Sequence, residues 1–108
     1  MVSSGKTPEP NTVRIDNETS SFFTIIEVFT YDFPGLLFSV TNALYRSRTN
    51  VNVAMVATKV DQVIDIFYVK SLDNDSKIET EQELEKIKTA ILMSLPQIKA
   101  KEKNNEKN

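Results

Sequence analysis

The chain has no cysteine and no histidine, and its 108 residues include only two glycines, Gly5 and Gly35. Without Cys or His there can be no disulfide, no thiolate nucleophile and no imidazole base, and the commonest zinc ligands are missing as well. No metal site and no cofactor are expected. No apolar run approaches the roughly 18 residues of a membrane span, and the N-terminus has no signal-peptide core. That reads as a soluble, cytoplasmic protein with no membrane partner. A net charge of −2 supplies no basic footprint for a phosphate backbone, which argues against a nucleic-acid partner.

What is present begins and ends in polar tails. Residues 1–11 ("MVSSGKTPEPN") and 97–108, which include "KAKEKNNEKN", lack the apolar side chains that could offset their ordering entropy, leaving one domain over 12–96. Inside it the hydrophobic period changes several times. "TVRID" (12–16) alternates, with Val13 and Ile15 on one face, and "FFTIIEVFT" (22–30) is β-branched and aromatic; both read as strands. From Gly35 the period turns helical, with Leu36, Leu37, Val40, Ala43 and Leu44 on one stripe that ends near Ser47 or Arg48. "NVNVAMVAT" (50–58) and "VIDIFYV" (63–69) are strands joined by so short a link that they must form an antiparallel hairpin. Residues 79–95 make a second helix with Leu84, Ile87, Ile91 and Leu95 on one face, stopped by Pro96.

The order ββαββα, with helices apolar on one side only, predicts an α/β two-layer sandwich. It is a ferredoxin-like arrangement: a mostly antiparallel four-stranded sheet with two helices on one face. The usual final strand is missing because the chain after the second helix is too polar, and the N-terminal strand is expected to fill that edge.

"DFPGLL" places a proline and one of the two glycines in front of the first helix. Unpaired backbone N–H groups at a helix start, at the positive end of its dipole, suit an anion such as a carboxylate. Asn50 opens the next strand, is expected near the same end of the sheet, and can both donate and accept. Gly35 would let a ligand approach the backbone, and is expected to matter more to binding than to folding. Plainer roles stay open: Asp32 as an N-cap, Pro34–Gly35 as helix punctuation, Asn50 as a cap or turn residue. Phe22, Phe23, Phe67 and Tyr68 read as core or interface, and Phe29, Tyr31 and Phe33 as a possible pocket lining. Asp65 is an acid inside an apolar strand, expected to be partly wetted or paired to a polar neighbour.

The motifs "VRIDN", "TIIEV", "DFPGLL", "TNV", "AMVAT" and "IDIFYV", in this order, resemble an ACT domain, the small amino-acid-sensing module. Within that family the chain is most similar to the C-terminal ACT domain of PII uridylyltransferase/uridylyl-removing enzymes, over residues 12 to 95. The resemblance implies a regulatory rather than catalytic chain, acting allosterically on uridylyltransferase and hydrolase domains that lie elsewhere in the parent protein. Glutamine is the implied ligand, and a second ACT domain, in isolation a homodimer, the implied partner. By motif position it also implies that Asp32, Phe33, Pro34, Gly35, Leu36, Leu37 and Asn50 bind the ligand. Phe33 stands where the family has Arg, Met55 where it often has His, and Val60 where it has Gly in the hairpin turn. The Phe removes a cation from the ligand loop, so a stand-alone relative or a dimerisation domain that has lost its ligand is the alternative. An RNA-binding sandwich using the "IDIFYV" aromatics and a small hydrolase are the rival classes.

Overall fold

A computed structural model of the chain describes residues 10–59 and 62–97. Val60 and most of the two predicted tails lie outside the described residues. Six elements follow one another: β1 (Thr12–Asp16), β2 (Thr24–Tyr31), α1 (Leu36–Arg46), β3 (Thr49–Lys59), β4 (Gln62–Ser71) and α2 (Glu81–Ser94). The strands form one sheet in the order β1-β2-β4-β3, with every neighbouring pair antiparallel. β1 thus occupies an edge beside β2, and β3 occupies the other.

Strand alternation decides which residues meet the helices. Val13, Ile26, Val28, Val63, Phe67 and Val69 point to one face of the sheet and pack against Leu36, Val40, Ala43 and Leu44 of α1 and Ile87 and Ile91 of α2. Leu37, assigned from its spacing to the same stripe, is 46% exposed. Helical rotation of about 100° per residue takes it off the stripe that Leu36, Val40 and Leu44 share. Thr80 caps α2, its hydroxyl accepting a hydrogen bond from the Glu83 amide and donating one to the Glu83 carboxylate.

The opposite face of the sheet is partly sealed by its own side chains. The Arg14 guanidinium lies 5.0 Å from the Phe29 ring centre, Phe23 meets Tyr68 edge-on, and Lys70 reaches over Phe23. Phe22 does not take part: β2 begins only at Thr24, because the Ser20 hydroxyl accepts from the Phe22 and Phe23 amides and holds them in a turn. Its ring is exposed. Phe67, fully buried on the helix side, cannot form a stacking platform with Tyr68.

Two Asn–Thr clasps tie edge strand β1 to both ends of α2. Asn17, just after β1, accepts from the Thr24 hydroxyl at 2.7 Å and donates to the Ile78 carbonyl at 2.8 Å ahead of α2. Asn11, just before β1, accepts from the Thr30 hydroxyl and donates to the Pro96 carbonyl after α2, both at 2.8 Å. Asn11, placed in the tail by composition, is therefore bound into the domain.

Candidate functional site

The chain leaves β2 and enters α1 through Asp32-Phe33-Pro34-Gly35. The Leu36 amide donates to the Phe33 carbonyl at 3.1 Å, closing a β-turn with Pro34 and Gly35 at its centre. Gly35 sits at φ 81° and ψ 9°, the third-position geometry of a type II turn, whose second position favours proline. This is the local reason for the glycine. Gly35 is also the residue that caps α1, and no side chain caps the helix, so Asp32 is not its N-cap. The Ser39 amide returns to the Gly35 carbonyl. Between these bonds, the amides of Leu37 and Phe38 fall in the first turn, where the helix supplies no acceptor.

A Cβ built on Gly35 would have no atom within 4 Å, so the site offers ample room; the constraint is the backbone angle. Gly35→Ala is expected to destabilise the fold by roughly 1–2 kcal/mol through its left-handed conformation alone, and Gly35→Asn by less. Urea unfolding of the two variants checks this. The backbone angle thus gives the glycine a part in folding that is independent of any ligand.

In front of this turn lies a cleft of about 310 Å³. Its loop and helix side is formed by Asp32, Phe33, Gly35, Leu36, Leu37 and Phe38, and its sheet side by Val56 and Thr58 of β3 and Val63 and Asp65 of β4. Five of the seven residues expected at a ligand site are brought together here: Asp32, Phe33, Gly35, Leu36 and Leu37. Pro34 shapes the turn without lining the cleft.

Asn50 is elsewhere. It pairs with Lys70 at the start of β3, whereas the cleft adjoins the other end of that strand, near Thr58 opposite Val63. The 11-residue α1 rises about 16 Å and carries the chain back across the sheet before β3 begins. Asn50 and the cleft are then separated by most of the length of β3. The register also puts Asn50 on the face away from the helices, with Lys70.

The cleft residue that motif matching missed is Asp65. It lies in the row Val28–Asp65–Val56 across three strands, on the helix-facing side, with Val63 and Phe67 two residues away along β4. It is 1% exposed, and both carboxylate oxygens are buried without a hydrogen-bond partner. Burial, with a smaller contribution from the nearby Asp32 charge, pushes its pKa up from 3.8 to about 6. The sequence signal was the acid itself in an apolar strand; the expectation that it is wetted or paired is not met.

A smaller hollow of about 230 Å³ lies at the opposite end of the sheet, around Arg48, Thr49, Ser71 and Asp73. Its guanidinium is already engaged: Arg48 Nη2 lies 2.7 Å from Asp73 Oδ1, with Nε also donating at 3.0 Å. That pairing holds the Asp73 carboxyl below its usual range. Among the described residues, the buried side-chain oxygens without a partner belong to Asp65 in the cleft and not to this hollow. Among the described residues no cluster of three or more Asp, Glu, His or Cys could hold a metal ion, and no helix is long and apolar enough to cross a membrane.

Comparison with known proteins adds a relationship. The chain is 44% identical over 63 residues to the bifunctional uridylyltransferase/uridylyl-removing enzyme of Ruegeria pomeroyi, covering 58% of this chain and 7% of that one. It is 37% identical over 86 residues to the enzyme of the same name from Azospirillum brasilense, covering 80% of this chain and 9% of that one. With the one from Zymomonas mobilis it shares 35% identity over 91 residues, covering 84% of this chain and 10% of that one. The chain spans a tenth or less of the length of these relatives. No family model matches it, and no solved structure does.

Proposed function

We propose that this chain is an ACT-type regulatory domain that senses an amino acid, with glutamine as the ligand, and controls a PII uridylyltransferase-like nitrogen regulator. The observation that carries this reading is the cleft at the start of α1, where a type II turn opens the helix beside a space lined by Asp32, Phe33, Leu36 and Leu37. The similarity to uridylyltransferase/uridylyl-removing enzymes supports the choice of parent protein. In this reading the chain itself is not catalytic, and uridylyl transfer and removal belong to other domains.

The ligand carboxylate is held by the α1 amides, where hydrogen bonding and the helix dipole act together. Asn50 has no part within one chain. Transmission requires a second unit, because a ligand shifts only an equilibrium whose two states it binds unequally. β3 is an edge strand with Val53, Met55 and Val56 about half exposed, and a second copy pairing along it would put the cleft beside the shared edge.

The test is an amide-resolved NMR titration with L-glutamine, using glutamate and serine as controls, with sedimentation of the same samples. Saturable shifts at Gly35, Leu36, Leu37 and Phe38 for glutamine, on a particle twice the 12.3 kDa chain, are the expected result. No shift at millimolar glutamine would instead favour a dimerisation domain without a ligand. That second reading draws on the exposed Leu37, Phe38 and Val56 around the cleft, an apolar surface suited to a protein partner.

A further inference from the structure

We propose that Asp65 receives the ammonium group of the ligand, so that the cleft is built for a zwitterion, with the α1 amides on its carboxylate and the Asp65 carboxylate on its amine. The inference rests on the amino-acid-sensing reading above and assigns the half of the site which that reading leaves open.

Two independent observations converge. The first turn of α1, at Gly35, Leu36, Leu37 and Phe38, lines the cleft, and a helix start favours an anion. On the opposite wall, Asp65 contributes a carboxylate that is 1% exposed and bonds to nothing. Buried polar side chains are nearly always satisfied, and a buried carboxylate with two orphaned oxygens is a strong exception. Its neighbours across the sheet, Val28 and Val56, offer no donor, and neither do Val63 and Phe67 along the strand. The Thr58 hydroxyl shares the cleft wall but makes no bond to Asp65, and the cleft is the side from which a donor can reach it. An ammonium satisfies both demands of the site, supplying several N–H donors and cancelling the buried charge. A neutral hydroxyl or amide would supply only the first.

Charge selectivity follows from the lining. Asp32 is the other titratable group there, and Leu36, Leu37 and Phe38 of α1, Val56 and Thr58 of β3 and Val63 of β4 are uncharged. Among the described residues of the cleft the field is therefore negative at Asp65 and Asp32 and positive at the helix start. An amino acid aligns with that field in one orientation.

Protonation of Asp65 would abolish the acceptor, and the ligand's own ammonium and carboxylate keep their charges between pH 5 and 7. Affinity should thus follow the ionised fraction of Asp65, which falls about tenfold between pH 7 and pH 5 for a group titrating at about 6. The experiment is titration of the full chain with L-glutamine at pH 7 and pH 5, as wild type, Asp65→Asn and Asp32→Asn, and with N-acetyl-L-glutamine, which lacks the ammonium. The wild type should bind glutamine about tenfold more weakly at pH 5. Asp65→Asn should bind weakly at both pH values, with no difference between them, while Asp32→Asn, by removing a neighbouring negative charge, should keep a pH dependence moved to lower pH. N-acetyl-L-glutamine should not saturate the site.

Equal wild-type affinity at both pH values, undiminished binding by Asp65→Asn, or saturable binding of the acetylated probe would overturn the role of Asp65 and leave the sensor reading standing. Failure of the wild type to bind glutamine at pH 7 would overturn both. Should Asp65→Asn not fold, the pH series and the acetylated probe on the wild type decide alone.

Discussion

Asp65→Leu is expected to stabilise the folded protein at pH 7 by about 3 kcal/mol, with the advantage shrinking as the pH falls toward 4. The folded state holds the Asp65 proton at about 6 and an unfolded chain at 3.8, a difference equivalent to about 3 kcal/mol. Because the folded state binds that proton more tightly, Asp65 imposes no ionisation penalty below the unfolded value. The penalty grows as the pH rises through the interval and is complete once the pH exceeds about 6. Leucine has a shape close to that of aspartate, and its neighbours Val28, Val56 and Val63 suit it. Urea unfolding of both proteins from pH 4 to pH 8 isolates this one group, since every other carboxylate is common to the two. A constant difference across that range would show that Asp65 holds its proton equally in the folded and unfolded states, so that burial does not raise its pKa. The same substitution removes the proposed ammonium acceptor, so stability should rise as glutamine binding is lost, a trade that functional sites commonly show.

Thr24→Val should have the opposite effect, destabilising the domain by about 2–3 kcal/mol. Thr24 is fully buried on β2, and its hydroxyl does two jobs: it donates to Asn17 Oδ1 at 2.7 Å and accepts from the Ile78 amide at 2.9 Å. Valine keeps the volume and the strand preference, so packing is little changed. What it leaves is a buried Ile78 N–H without its acceptor, which costs more than a hydrogen bond contributes on average. Asn17, which also donates to the Ile78 carbonyl and accepts the Lys77 ammonium on its own carbonyl, would lose its anchor on β2. The loss should appear as a lower urea midpoint and faster hydrogen exchange at Ile78. Thr24→Ser, which keeps the hydroxyl, should lose much less. Equal effects of valine and serine would mean that the methyl group, not the network, holds this corner.

Much of the architecture was legible from local patterns. The alternation of Val13 and Ile15 marked β1, and the spacing of Leu36, Val40, Ala43 and Leu44 marked the buried face of α1. These are short-range periodicities, and burial against a single sheet face is enough to enforce them. Pro34–Gly35 announced a turn for the same reason, since the residue types and the required backbone angles belong to the same few residues. Leu37 misled because one residue of offset on a helix changes its face, and Phe22 because Ser20 captures its amide before the strand begins.

Taken alone, then, the sequence determined the order of the elements, most of their buried faces and the turn at the mouth of α1, all of which depend on residues within a few positions of one another. Only the tertiary structure decided what those elements bring together. Strand pairing put Asn50 at the far end of the sheet from Gly35, although the two are 15 positions apart in the chain. It also surrounded Asp65 with Val28 and Val56 from strands distant in sequence, turning an oddly placed acid into a buried charge without a partner. Asn11 and Asn17 gained their roles from Pro96 and Ile78, 85 and 61 residues away. Burial and hydrogen-bond satisfaction are properties of the assembled chain, because solvent exclusion requires neighbours that no local pattern names.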